Sequence, residues 1–167
     1  MTDLTAALAA LRPALADRYA RQVRSAHATM VETLGTALPG VYNNWHFART
    51  FTALVAPVLA PRERISSDCI IDDAKLAKAA AAYAEAAVLQ WKAKIESKIG
   101  DLEQIEIKHF AGCNYLITGH RAGKRVAIDQ DVIVKTSTKG LLFNQFPARI
   151  YVDGKFTSEA KYKAAFA

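Results

Sequence analysis

The segment Gly119-His120-Arg121-Ala122-Gly123-Lys124-Arg125 gathers three permanent cations and one histidine within seven residues. Glycines beside a lysine suggest a phosphate cradle. The Walker pattern needs four residues between its glycines and a Ser or Thr after the lysine, to ligate magnesium. Here three residues separate the glycines and Arg125 follows Lys124. Apolar alternating runs flank the segment on both sides, so it reads as strand, turn, strand rather than strand, loop, helix. Nucleotide hydrolysis is therefore excluded. What is left is a hairpin tip whose cations can meet an anion. His120, Arg121, Lys124 and Arg125 form the core of a candidate nucleic-acid-binding set, which Lys135 and Lys139 extend along the chain.

Glu106-Ile107-Lys108 has the E-x-K spacing of metal-dependent nucleases, in which carboxylates hold the ion and the lysine supports the attacking water. That arrangement also needs an aspartate on a preceding strand. Upstream of Glu106 the sequence reads as a long helix ending near Asp101, so E-x-K reads as the polar face of an amphipathic strand. Asp129-Gln130-Asp131 lies between two apolar runs and reads as a turn. The four histidines, at 27, 46, 109 and 120, form neither H-x-x-x-H nor H-E-x-x-H. His27 falls on an apolar helical stripe and is expected to be a satisfied core or interface histidine. No G-x-S-x-G elbow occurs. No catalytic residue, metal site or cofactor is assigned, and the protein is not expected to be an enzyme; a metal-dependent nuclease is the third reading, behind the two binding ones. Cys69 and Cys113 match no zinc or redox spacing, so a reducing compartment is the simplest home.

Two further features bear on binding. Arg18, Arg21 and Arg24 share one helical face, with Asp17 among them, and make a possible second basic face. Lys92, Lys94 and Lys98 crowd the end of another helix, where they complement its dipole. Aromatic and basic residues interleave from Phe143 through Phe146, Arg149, Tyr151, Lys155, Phe156, Lys161, Tyr162 and Lys163. Exposed aromatics on a basic sheet are the ingredients of single-strand platforms, although strand alternation sends about half of them inward. No RNP signature is present, so an RNA-recognition fold is not assigned.

The elements that must position these groups follow from hydrophobic period. Leu4, Leu8 and Leu11 mark a short first helix that Thr2 or Asp3 can cap. Leu15, Tyr19, Val23, Met30 and Leu34 mark a helix from about 14 to 34, with Pro13 at its first position and Gly35 as its stop. Asn44 can cap a helix bearing Phe47, Phe51, Leu54 and Val55, which Pro57 and Pro61 end. A third helix starts at Asp72 or Asp73; Asp72 as cap would place Ile71 and Leu76 at the staple positions, and Gly100 is the C-terminal glycine. Its stripe is Leu76, Ala80, Tyr83, Ala87, Trp91, Ile95 and Ile99, and Tyr83, Trp91 and Ile95 should be buried against the sheet.

After Gly100 the period falls toward two. Strands are expected at 105–110, 114–120, 124–128, 132–135, 141–143 and 149–152, followed by KFT. Turns are expected at Ala111-Gly112, at Arg121-Ala122-Gly123 and at Asp153-Gly154, the last of type I′. Ser158 caps a short final helix. The fold class is α+β: N-terminal helices packed on a C-terminal antiparallel meander of five or six strands, then a short helix. One domain over 1–167 is expected, with a helical layer at 1–100 and a basic sheet layer at 101–167.

The chain has 167 residues and a net charge of +6. Residues 1–90 carry 9 Lys+Arg against 8 Asp+Glu, and residues 91–167 carry 13 against 8, so the excess belongs to the sheet half. A 51% apolar and 23% charged composition argues against disorder. The N-terminal run opens with an acid and holds Arg12 and Pro13, so a secretory leader is not expected. No stretch approaches the roughly 20 apolar residues of a membrane span. No membrane partner and a cytoplasmic location are expected.

The segment FNQFPARIYVDGK, followed by a short terminal helix, resembles uncharacterised small accessory proteins of bacteriophages. The resemblance covers about a quarter of the chain and implies a phage or prophage origin, hence a host cytoplasm. A small accessory protein whose basic surface contacts nucleic acid is the first expectation. A protein-interaction module, either a viral assembly component or an inhibitor of a host protein, is the alternative. The oligomeric state stays open.

Overall fold

The computed structural model describes residues 4–36, 54–61, 68–109, 114–137, 140–145 and 149–167. The helices are α1 (Leu4–Ala9), α2 (Arg12–Thr36), α3 (Asp73–Ile99) and α4 (Glu159–Ala165). The strands are β1 (Glu103–His109), β2 (Asn114–Arg121), β3 (Lys124–Ser137), β4 (Gly140–Gln145), β5 (Arg149–Val152) and β6 (Lys155–Thr157). The class is α+β, with helices first, an antiparallel sheet next and a short helix last. The helix expected from Asn44 lies outside the described residues up to residue 53; at its described end Leu54 and Val55 are buried and the chain passes into a 3-10 turn at Ala56–Val58 that holds Pro57. The turn at Ala111-Gly112 lies outside the described residues. So do the proposed caps Thr2 and Asp3. Gly35 lies inside the last turn of α2 instead of stopping it.

The chain forms two compact units. One comprises Pro13–Glu85 and Val134–Leu142, the other Met1–Arg12, Ala86–Ile133 and Phe143–Ala167. In the first, α2 buries Leu15, Tyr19, Val23 and Met30, spaced by four, four and seven residues as one helical stripe. Tyr19 stacks on Tyr83 of α3, with ring centroids 4.9 Å apart and planes 22° apart. Burial raises the Tyr19 phenol above its ordinary pKa. Tyr83 thus meets another helix, where the sequence led us to expect sheet. Asp72 caps α3: its Oδ1 accepts the Lys75 backbone N–H at 3.0 Å. His27 Nε2 lies 2.8 Å from the Cys69 carbonyl, a satisfied and half-buried histidine.

In the second unit five strands run in the order β1-β2-β3-β5-β6, each antiparallel to its neighbour. β4 pairs with β3 off this path, so the meander is branched at β3. Residues directly opposite in register project to one face. Ile107, Ile117, Ile128 and Ile150 form one such row across four strands. The last three are buried, and Val126 lies beside them. This is the core face. Trp91 of α3 packs edge-on against Tyr115 of β2 at 5.1 Å, and both are buried. α1 lies along β1, and α4 lies beside β5.

One expected turn is overturned. Asp129-Gln130-Asp131 is the middle of β3, which runs unbroken from Lys124 to Ser137. Asp129 is half-exposed and sits across from Leu116 and Arg149. The side of an antiparallel sheet away from the core tolerates a carboxylate, so no turn is needed to accommodate it.

Candidate nucleic-acid interface

Two tight turns place the basic tip. Ala122 and Gly123 have φ of 49° and 75°, and Asp153 and Gly154 have φ of 48° and 79°. Positive φ at both central residues makes each a type I′ turn, whose twist matches the strands it joins. The register Val126↔Val152 brings both tips to one end of the sheet. Asp153 locks them together. Its N–H donates to the Arg125 carbonyl at 2.9 Å, and its Oδ1 accepts the Arg125 N–H at 3.0 Å.

The cations of this end have different fates. Arg121 turns inward: its guanidinium donates to the carbonyl of Ile99, at the end of α3, and to that of Phe166, past α4, at 3.2 Å. It also lies over the rings of Tyr162 and Phe166, 5.7 and 5.4 Å from their centroids. Tyr162 Oη donates to the same Ile99 carbonyl at 2.9 Å. Two helix C-termini carry unsatisfied carbonyls and negative dipole ends, and one guanidinium serves both. Gly100, at φ 75°, makes room: a Cβ there would lie 2.5 Å from Arg121 Nη1. Arg121 is therefore engaged by the protein itself.

Lys124, Arg125 and Lys155 are exposed at the same end. Lys124 Nζ sits 5.7 Å from the centroid of the Phe166 ring. Among the described residues no carboxylate pairs with any of the three side chains. His120 is half-buried, opposite Arg125 and Glu103, and its Nδ1 is buried with no hydrogen-bond partner among the described residues.

Away from the core the sheet presents three rows. One holds Lys108, Leu116, Asp129 and Arg149. The next holds Glu106, Thr118, Ala127, Tyr151 and Phe156. The third holds His120 and Arg125. Phe156 is 68% exposed, and its ring meets Tyr151 edge-on at 6.1 Å. Arg149, Tyr151, Lys155 and Phe156 stood in the sequence only among the interleaved aromatic and basic residues, outside the candidate binding set. The Asp153-Gly154 turn contained the signal: a two-residue loop pairs 152 with 155 and 151 with 156, so the two aromatics must share a face.

The remaining candidates are dispersed. Arg21 pairs with Asp17 at 3.1 Å and Arg24 with Asp73 at 2.8 Å, while Arg18 is half-buried. Lys92 pairs with Glu96, and Lys98 with Glu159 at 2.9 Å. Hydrogen bonds from Lys98 and Lys163 hold the Glu159 carboxyl below its ordinary range. Burial, and then repulsion from Lys98, lowers Lys94. Lys135 lies in β3, within the stretch whose side chains are not described, and Lys139 lies outside the described residues. Glu106 pairs with Lys108 at 3.3 Å. Two strands and two residues separate it from Asp129, on the order of 12 Å. Asp131 lies opposite Asn114 in register. Among the described residues no three His, Cys, Asp or Glu side chains could share a metal ion. Nor is any described helix long and apolar enough to cross a membrane. The chain matches no protein-family model, no curated protein and no solved structure.

Proposed function

We propose that this chain is a small, non-enzymatic accessory protein that binds nucleic acid through the hairpin end and outward face of its sheet. One observation carries the reading. Lys124, Arg125 and Lys155 are exposed at one end of the sheet with no carboxylate partner among the described residues, Arg125 on the face of Tyr151 and Phe156, Lys124 and Lys155 on the side of Val126 and Val152. Cations without partners retain their charge for a polyanion, and phosphate contacts supply most sequence-independent affinity. The arginines of α2 contribute less to this reading, because Arg21 and Arg24 are already neutralised.

Titrating salt against binding of generic DNA and RNA tests it. Affinity should fall linearly with salt on logarithmic axes. Lys124→Ala should lower affinity for all sequences alike and flatten the slope by roughly one unit. No binding at low salt would discard the reading.

A further inference from the structure

We propose that the ligand is single-stranded, and that an unpaired base stacks on Phe156 while Arg125 and Arg149 hold the backbone on either side. This rests on the nucleic-acid reading and deepens it. Phe156 sits at the centre of a three-residue edge strand and is 68% exposed. A lone exposed phenylalanine would mean little. This one is braced: Tyr151, directly opposite in register, meets it edge-on with planes 73° apart. Ala127 continues the same row on β3, and Thr118, which is buried, follows it on β2.

The charges bracket that row. Arg149 is two residues from Tyr151 on β5, and Arg125 is two residues from Ala127 on β3. Each is displaced about 7 Å along the strand, in opposite directions. A backbone crossing the aromatic row thus meets a cation before and after it. Glu106, paired with Lys108, closes the far end of the row on β1, and Asp129 lies directly across from Arg149. β5 and β6 have four and three residues, so the site should span few nucleotides, on the order of four. Bases inside a duplex present edges in the grooves and no free π-face, whereas unpaired bases can splay onto an aromatic ring.

The test uses the full chain and three labelled probes: oligodeoxythymidine and oligouridine of about 20 nucleotides, and a mixed-sequence duplex of the same length. Both single strands should bind at least about tenfold tighter than the duplex. Phe156→Ala should weaken single-strand binding about 5- to 150-fold, the range of one lost base stack, and leave the salt slope unchanged. Phe156→Trp should restore binding, and its fluorescence should fall as the oligonucleotide is added. Arg125→Ala and Arg149→Ala should each flatten the slope. A preference for oligouridine over oligodeoxythymidine would assign RNA, through the 2′-hydroxyl. If duplex binds as well as single strand, or Phe156→Ala binds like the parent while Lys124→Ala binds less, the stacking proposal is wrong and the general reading survives. If no probe binds at low salt, both fall.

Discussion

Ile150 and Tyr151 are neighbours on β5 and occupy different media. Ile150 closes a buried isoleucine row, while Tyr151 stands with Phe156 on the outward face. The same division separates the aromatics. Trp91, Tyr115 and Tyr162 are buried, whereas Phe156 is in solvent. It separates the cations too, since Arg121 is spent on helix carbonyls and Arg125 is exposed. Residue type alone does not say whether an aromatic or an arginine holds the fold or is left for a partner. Parity along the strand and the distance to the nearest acceptor decide it. Mutations on the two sides should therefore separate stability from binding.

The largest effect is expected from the core. Trp91→Ala should cost about 3–5 kcal/mol in chemical denaturation, while Phe156→Ala should move stability by less than about 0.5 kcal/mol. A small loss at Trp91 would show that this side of the sheet does not carry the fold. Arg121→Ala comes next, at about 1.5–3 kcal/mol for the loss of charge-assisted bonds to two helix ends. Its salt slope in binding should stay at the parental value. A slope reduced by one unit would move Arg121 to the binding set.

The two I′ turns sharpen the contrast at smaller scale. Ala122 holds φ 49° at a cost that L-residues with a Cβ pay in the left-handed region. Ala122→Gly should raise stability by about 1 kcal/mol, with the melting temperature as readout, and leave binding intact.

Glu159 gives the smallest effect. Its carboxyl is held below the ordinary value of 4.5 by Lys98 and Lys163. A depressed folded pKa adds stability that is fully present above 4.5 and lost as pH falls through the folded value. Glu159→Gln should therefore be less stable than the parent near neutrality, by under about 1 kcal/mol for these part-exposed pairs. The difference should vanish in acid, and a difference that persisted below the folded pKa would refute the pairing.

Much of this architecture was legible in local chemistry. Asp72 and Gly100 bounded α3 because a cap side chain and a left-handed glycine act within a turn of the helix end. Asp153-Gly154 declared its turn for the same reason. Asp129-Gln130-Asp131 misled because aspartate is depleted in strands, and only the pairing with β2 and β5 shows that the chain stays extended there. The branching of β4 from β3 likewise depends on pairing rather than composition. Arg121 looked like the cations around it. Its partners lie 22 and 45 residues away, and no local pattern points to them. Arg18, Arg21 and Arg24 shared a face as their spacing required, yet the carboxylate that pairs with Arg24 comes from α3.

The most direct measurement is the salt dependence of binding to a short single-stranded oligonucleotide, for the parent chain and for Lys124→Ala/Arg125→Ala. The hairpin-end account predicts a linear fall of log affinity with log salt, and a slope lower by about 1.4 units in the double variant, at roughly 0.7 per phosphate contact on a single strand. It also predicts that Arg21→Ala/Arg24→Ala keeps the parental slope. An unchanged slope in the hairpin variant, or no binding by the parent chain at low salt, would contradict it.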